Sequence, residues 1–226
     1  RRASWPVVEC STAAGKAKPI VRACDIYPQV KARSVATRGG IPRTLAKLKA
    51  GEKVRIAYFG GGIHGAGGWR KLYLDQLRAA YPQATVEEIH AGVCDCVRGS
   101  GYSHWRYEHD ALAHRPDLVL VDFASDDHAT SPPAIQRAIE GVVRKTLRQD
   151  PAPELLFLHA FRAGFEASYG NGKCPTAVTA YELLAEHYGI PSANPGLAIA
   201  QAIARGELAA KGPDKAFSTD GVRPSA

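Results

Sequence analysis

Methionine is absent from all 226 residues, and the chain opens on Arg1. We therefore expect a processed mature chain or a fragment, with no signal peptide left to read. No apolar run approaches the ~18 residues of a membrane span, so a membrane partner is not expected. Collagen periods, heptad arrays and internal repeats are also missing, which excludes fibrous and solenoid architectures. The five cysteines, Cys10, Cys24, Cys94, Cys96 and Cys174, contain no Cys-x-x-Cys or zinc-ribbon spacing. Their odd number leaves at least one thiol free or paired with another chain, and Cys10 and Cys24 are close enough to bridge. The cysteines are weak support for an exported, periplasmic or extracellular protein.

What is present fits a globular domain. Hydrophobic residues make up 45% and charged residues 23%, near the averages for folded soluble proteins. Lys plus Arg number 29 against 22 Asp plus Glu, a formal charge of +7. A basic balance can serve a polyanion, but these cations are scattered and interleave with no aromatic run. We expect a solvated basic surface and no nucleic-acid partner.

Residues 1–40 are rich in Pro, Ser, Ala and Lys and read as an irregular N-terminal arm, with the domain spanning 41–226. Beyond Gly39-Gly40 the pattern becomes periodic. Strands are expected at Val54–Phe59, Thr85–Ile89, Leu118–Val121 and Glu154–Leu158. Helices are expected at Ile41–Ala50, Trp69–Ala80, Ser103–Ala113, Pro133–Arg148, Thr179–Tyr188 and Gly196–Arg205. The fourth carries Ile135, Ala138, Ile139, Val142 and Val143, the stripe of a helix with one buried face. Alternating strand and helix predicts an α/β three-layer sandwich around a mainly parallel sheet. Ligands of such sheets sit beyond the carboxyl ends of the strands, so the loops there carry any chemistry.

Those loops are distinctive. The first is Gly60-Gly61-Gly62-Ile63-His64-Gly65-Ala66-Gly67-Gly68. It is glycine-rich but lacks the Lys-Ser/Thr pair of a phosphate-binding P-loop. The second is His90-Ala91-Gly92-Val93-Cys94-Asp95-Cys96, and the third is Asp122-Phe123-Ala124-Ser125-Asp126-Asp127-His128. Near the end stands Asp220-Gly221-Val222-Arg223-Pro224.

On these blocks the chain resembles the SGNH (GDSL-type) hydrolases from about Ile41 to Ser225. It is most similar to members whose blocks read Gly-Gly-Ser-Ile-Thr and Asp-Gly-Val-His-Pro. Trp69-Arg70, Glu108-His109-Asp110, Asp117–Asp127 and His187-Tyr188-Gly189-Ile190-Pro191 belong to the same likeness. The resemblance implies a flavodoxin-like strand order and hydrolysis of carboxylic esters, acetyl groups on carbohydrate among them. It implies a small-molecule or carbohydrate ester as ligand and no cofactor.

The family needs a Ser nucleophile, oxyanion donors from a Gly amide and an Asn, and an Asp-x-x-His pair. Here Gly62 stands at the Ser position, Asp95 at the Gly position by ungapped counting (Val97 if two residues are inserted), Asp126 at the Asn position and Arg223 at the His position. Only Asp220 is retained. Glycine has no attacking oxygen, an anionic Asp126 would oppose developing negative charge, and Arg223 cannot act as a base near neutrality. The expectation is an inactive or strongly impaired hydrolase fold that binds. A second reading is an active esterase whose catalytic residues are altered or misassigned, with His64, Ser100 or Ser125 as substitutes. A third is a metal-binding protein using Cys94, Cys96, His64, Asp126, Asp127 and His128. Trp69, Trp105, Tyr102 and Tyr107 are candidate faces for a sugar ring, with core packing the expected fate of Trp69 and Tyr107. Oligomeric state is not legible.

Overall fold

A computed structural model describes residues 27–62, 68–92, 99–213 and 215–221. In chain order they form β1 (Val35–Ala36), α1 (Pro42–Lys49), β2 (Lys53–Gly60), α2 (Gly68–Ala80), β3 (Thr85–His90), α3 (Ser100–Asp110), β4 (Leu118–Asp122), α4 (Pro132–Leu147), β5 (Glu154–Leu158), α5 (Glu166–Gly170), α6 (Thr176–Tyr188), β6 (Ser192–Ala193) and α7 (Pro195–Ala204).

One six-stranded sheet runs β1-β6-β5-β4-β2-β3. Every pairing is parallel except β1 on β6. Without the antiparallel β1, this is the expected flavodoxin-like order, with a reversal of strand order at β2 and β4.

Period-two alternation divides the core into two layers. Val54, Ile56 and Tyr58 of β2 and Leu118 and Leu120 of β4 pack with Leu48 and Leu74 beneath α1 and α2. Ala57 and Phe59, with Val119 and Val121, face the opposite layer, where Tyr107, Ile135, Ile139, Val142, Val143 and Tyr181 meet them. The predicted stripe of α4 is buried throughout.

Helix α1 is tied to the sheet from below: the Glu154 carboxylate accepts the Arg43 N–H at 3.0 Å and the Thr44 N–H at 2.7 Å. Those are amides that a helix start leaves unpaired, and a carboxylate there also suits the helix dipole.

The structure departs from the expected boundaries where tertiary contacts set them. Helix α3 starts at Ser100 rather than Ser103, because the buried Asp127 carboxylate accepts the Ser100 N–H at 2.9 Å. Gly99, at φ +78°, makes the turn beside it, and a Cβ there would fall 2.2 Å from the same carboxylate. Strands β1 and β6, two residues each, are too short for any periodicity to announce. β1 also lies within the stretch expected to be irregular. Arg38, just beyond it, donates to Glu182 (2.6 Å), Glu186 (3.0 Å), Ser192 Oγ (2.9 Å) and the Ile190 carbonyl (3.1 Å).

Candidate functional site

The strand-order reversal sets the site between the carboxyl ends of β2 and β4. Gly60 pairs in register with Asp122, and the Gly61 N–H donates to the Asp122 carbonyl at 3.1 Å. After Asp122 the chain turns through Phe123 to Ser125 and winds into a 3-10 turn at Asp126–Ala129. The Asp126 and Asp127 amides both donate to the Phe123 carbonyl. That tight turn sends the two adjacent carboxylates in different directions.

Asp127 points into the domain. Its carboxylate accepts the Ser100 N–H and the Tyr181 hydroxyl at 2.8 Å. Burial raises its pKa, partly offset by these donors and Thr130. Asp126 instead lies over Gly61: a Cβ added at Gly61 would stand 1.9 Å from Asp126 Oδ2. A carboxylate therefore occupies the floor between the first and third blocks, where only a bare Cα lets it fit. Behind it lies Asp122, fully buried. Burial, then the charge of Asp126, pushes the Asp122 carboxyl well above the usual range, against the pull of the Ala160 and Ala124 amides.

The loop after β5 and the C-terminal segment close the other side. Arg162 Nη1 donates to the Ser125 carbonyl at 3.4 Å, and the Ala163 N–H donates to the Gly221 carbonyl at 2.8 Å. Phe161 meets Phe217 edge-on, with ring centroids 5.0 Å apart. Asp220 is held by its own turn: the Ser218 hydroxyl donates to Asp220 Oδ1 at 2.6 Å and accepts the Asp220 and Gly221 amides at 3.2 and 3.0 Å.

Gly62, Asp126 and Asp220 thus lie on segments that converge at one end of the sheet. Asp95 and Arg223 fall outside the described residues, as do His64, Cys94 and Cys96, so the metal reading rests on side chains not placed here. Among the described residues no group of three or more His, Cys, Asp or Glu is arranged to hold a metal. His128 faces solvent while Asp127 is buried, so these two neighbours do not share a site. Sequence reasoning missed Asp122, Arg162 and Ser218 as parts of the site. Asp122 ends an apolar strand and the other two follow no spacing rule, so only the fold brings them in.

An apolar cavity of about 450 Å³ adjoins the site, with Trp69, Leu120, Leu158, Phe161, Ile199 and Phe217 among its walls. It is almost free of polar groups that could orient an ester.

No family model matches the sequence, and comparison with curated proteins gives no match. Solved structures do match. A two-domain esterase active on acetylated mannans, co-crystallised with mannopentaose, is 24% identical at a TM-score of 0.70 over 88% of this chain. The match spans 53% of that protein, so the chain covers about half its length. An acetyl xylan esterase is 19% identical at a TM-score of 0.61, over 76% of this chain and 92% of that one. A protein from Parabacteroides merdae assigned as a GDSL-like lipase is 16% identical at 0.55, over 76% and 88%. With the strand order, the block order and these neighbours in agreement, the chain has the fold of the SGNH (GDSL-type) hydrolases.

Proposed function

We propose that this protein is a carbohydrate-ester binder built on an esterase fold, with hydrolysis lost or strongly reduced. The observation that carries the reading is the Asp126 carboxylate lying against Gly61, beside a Gly62 that has no side chain to attack with. In an acyl-transfer site that position must offer donors to a forming oxyanion. A carboxylate repels the same charge, and removing even one donor typically costs 10²–10³-fold in rate. Losing the nucleophile as well removes the covalent route. Arg223 stands at the base position, and a guanidinium cannot accept a proton near neutrality.

The ligand class is supported by the neighbours active on acetylated mannans and acetyl xylan. An exported location fits such a ligand, and among the described residues no helix is long and apolar enough to cross a membrane.

The test pairs binding with turnover. Calorimetric titration with acetylated manno- and xylo-oligosaccharides is expected to give saturable binding. Assay with a chromogenic acetyl ester is expected to give no rate above buffer. The triple substitution Gly62→Ser, Asp126→Asn and Arg223→His is expected to produce measurable esterase activity. Turnover by the unmodified chain would overturn the loss of hydrolysis, and peptide mass spectrometry across residues 62 and 223 would then show whether those residues are misassigned. Absence of any binding would overturn the ligand assignment.

A further inference from the structure

The aromatic residues of helix α3 part company in the structure. Tyr107 is fully buried, and on α2 Trp69 packs edge-on against Tyr58 with centroids 5.6 Å apart. Tyr102 and Trp105 remain 56% and 72% exposed. They stand three positions apart, on neighbouring parts of one helical surface, with Cβ atoms about 5–6 Å from each other.

We propose that Tyr102 and Trp105 form a stacking platform for an oligosaccharide chain leading away from the cleft, a reading that rests on the carbohydrate assignment above. Three features support it. First, the platform is anchored to the site: α3 begins at Ser100, whose amide is held by Asp127, the neighbour of Asp126. Tyr102 lies in the first turn, one turn closer to the cleft than Trp105.

Second, the indole has a ring neighbour. The His104 ring lies 4.8 Å from the Trp105 ring at 42°. His104 is itself fixed, its Nδ1–H donating to the Gly101 carbonyl at 2.9 Å, and its ring faces Gly141 of α4, where a Cβ would stand 3.4 Å away.

Third, the surroundings are polar. Arg106 makes a two-pronged pair with Asp110, Nε to Oδ2 at 2.7 Å and Nη2 to Oδ1 at 3.2 Å, and the exposed His109 ring bonds the same carboxylate at 2.8 Å. Two rings among such groups suit a ligand with apolar sugar faces and hydroxyl edges. A protein partner would need a contiguous apolar face of several hundred Å².

The test compares wild type, Trp105→Ala, Trp105→Phe and Tyr102→Ala for binding of unacetylated and acetylated β-1,4-linked manno- and xylo-oligosaccharides of two to six units. Calorimetry and tryptophan fluorescence provide the readout, and circular dichroism confirms that these surface variants fold. Wild-type affinity is expected to rise with chain length. Trp105→Ala should weaken binding of the longest ligands roughly 3- to 10-fold and leave the shortest unchanged, with Trp105→Phe retaining most of the affinity. Equal binding of long ligands by wild type and both alanine variants overturns the platform and leaves the cleft reading intact. Absence of binding by every oligosaccharide overturns the carbohydrate reading and the platform together. Self-association that Trp105→Ala abolishes would assign the surface to a second copy and overturn the proposal.

Discussion

Glu182 joins the edge of the sheet to the strand that leads into the site, and its replacement by glutamine tests how firmly. Its side chain is 11% exposed and accepts Arg38 Nη2 at 2.6 Å and His159 Nε2 at 2.7 Å. Burial alone would raise its pKa. Hydrogen bonds from His159, Arg38 and Ser192 outweigh that and bring it from 4.5 to about 2. A carboxylate depressed in the folded state contributes fully above its unfolded pKa and loses its contribution as pH falls through the folded one. A carboxyl moved from 4.5 to about 2 contributes ~3 kcal/mol at pH 7, falling to less than half of that by pH 3. Glutamine approximates the protonated acid, so Glu182→Gln should lose ~3 kcal/mol at pH 7. For a chain of this length that is roughly 6–12 °C in Tm. Urea unfolding followed by circular dichroism at pH 7 and pH 3 measures both values. A loss that is the same at both pH values, or below about 1 kcal/mol at pH 7, would refute the assignment of the depressed pKa to this cluster.

Asp122→Asn should stabilise the protein at pH 7, because a buried carboxyl whose pKa is raised costs stability as pH climbs above its unfolded value; denaturation midpoints should converge near pH 3. Gly61→Ala should cost about 1–3 kcal/mol by forcing the Asp126 carboxylate aside, and the same change in an Asp126→Ala background should cost clearly less in a double-mutant unfolding cycle. Burial pushes the Cys174 thiol up to about 12, so its peptide should stay unalkylated by iodoacetamide at pH 8 until denaturant is added, as read by mass spectrometry.

The sheet was legible because its central strands carry their own signal. Leu118–Val121 is an unbroken apolar run, as a strand covered on both faces should be, and all of β4 is buried. The β1–β6 side gave no such signal. Val35–Ala36 is held by a partner about 155 residues away in sequence, and the two-residue strands β1 and β6 cannot show a period. Helix starts were misplaced for the same reason: Asp127 fixes the start of α3 from across the domain. In the site, the glycine loop, the paired Asp126-Asp127 and the Asp220 turn were visible as blocks. What they do to one another was not. That Asp126 rests on Gly61 while Asp127 turns inward depends on a 3-10 turn whose sequence, Asp-Asp-His-Ala, is unremarkable.

The two adjacent aspartates differ in how much of the fold depends on them. Asp127 holds the first turn of α3 and the Tyr181 hydroxyl, so changing it would expose two buried donors to nothing, at a cost of about 1–3 kcal/mol each. Asp126 and Gly62 belong to neither hydrophobic cluster and are only half-buried. Substitution at Asp126 therefore alters the charge facing a ligand while the cap one residue away stays in place. Side chains can change on the rim of the strand-order reversal without touching the layers beneath it. Of the placed residues at the family's signature positions, Gly62 and Asp126 depart and Asp220 is kept. Asp220 is built into a hydrogen-bonded turn in which the Ser218 hydroxyl donates to its carboxylate and accepts the Gly221 amide.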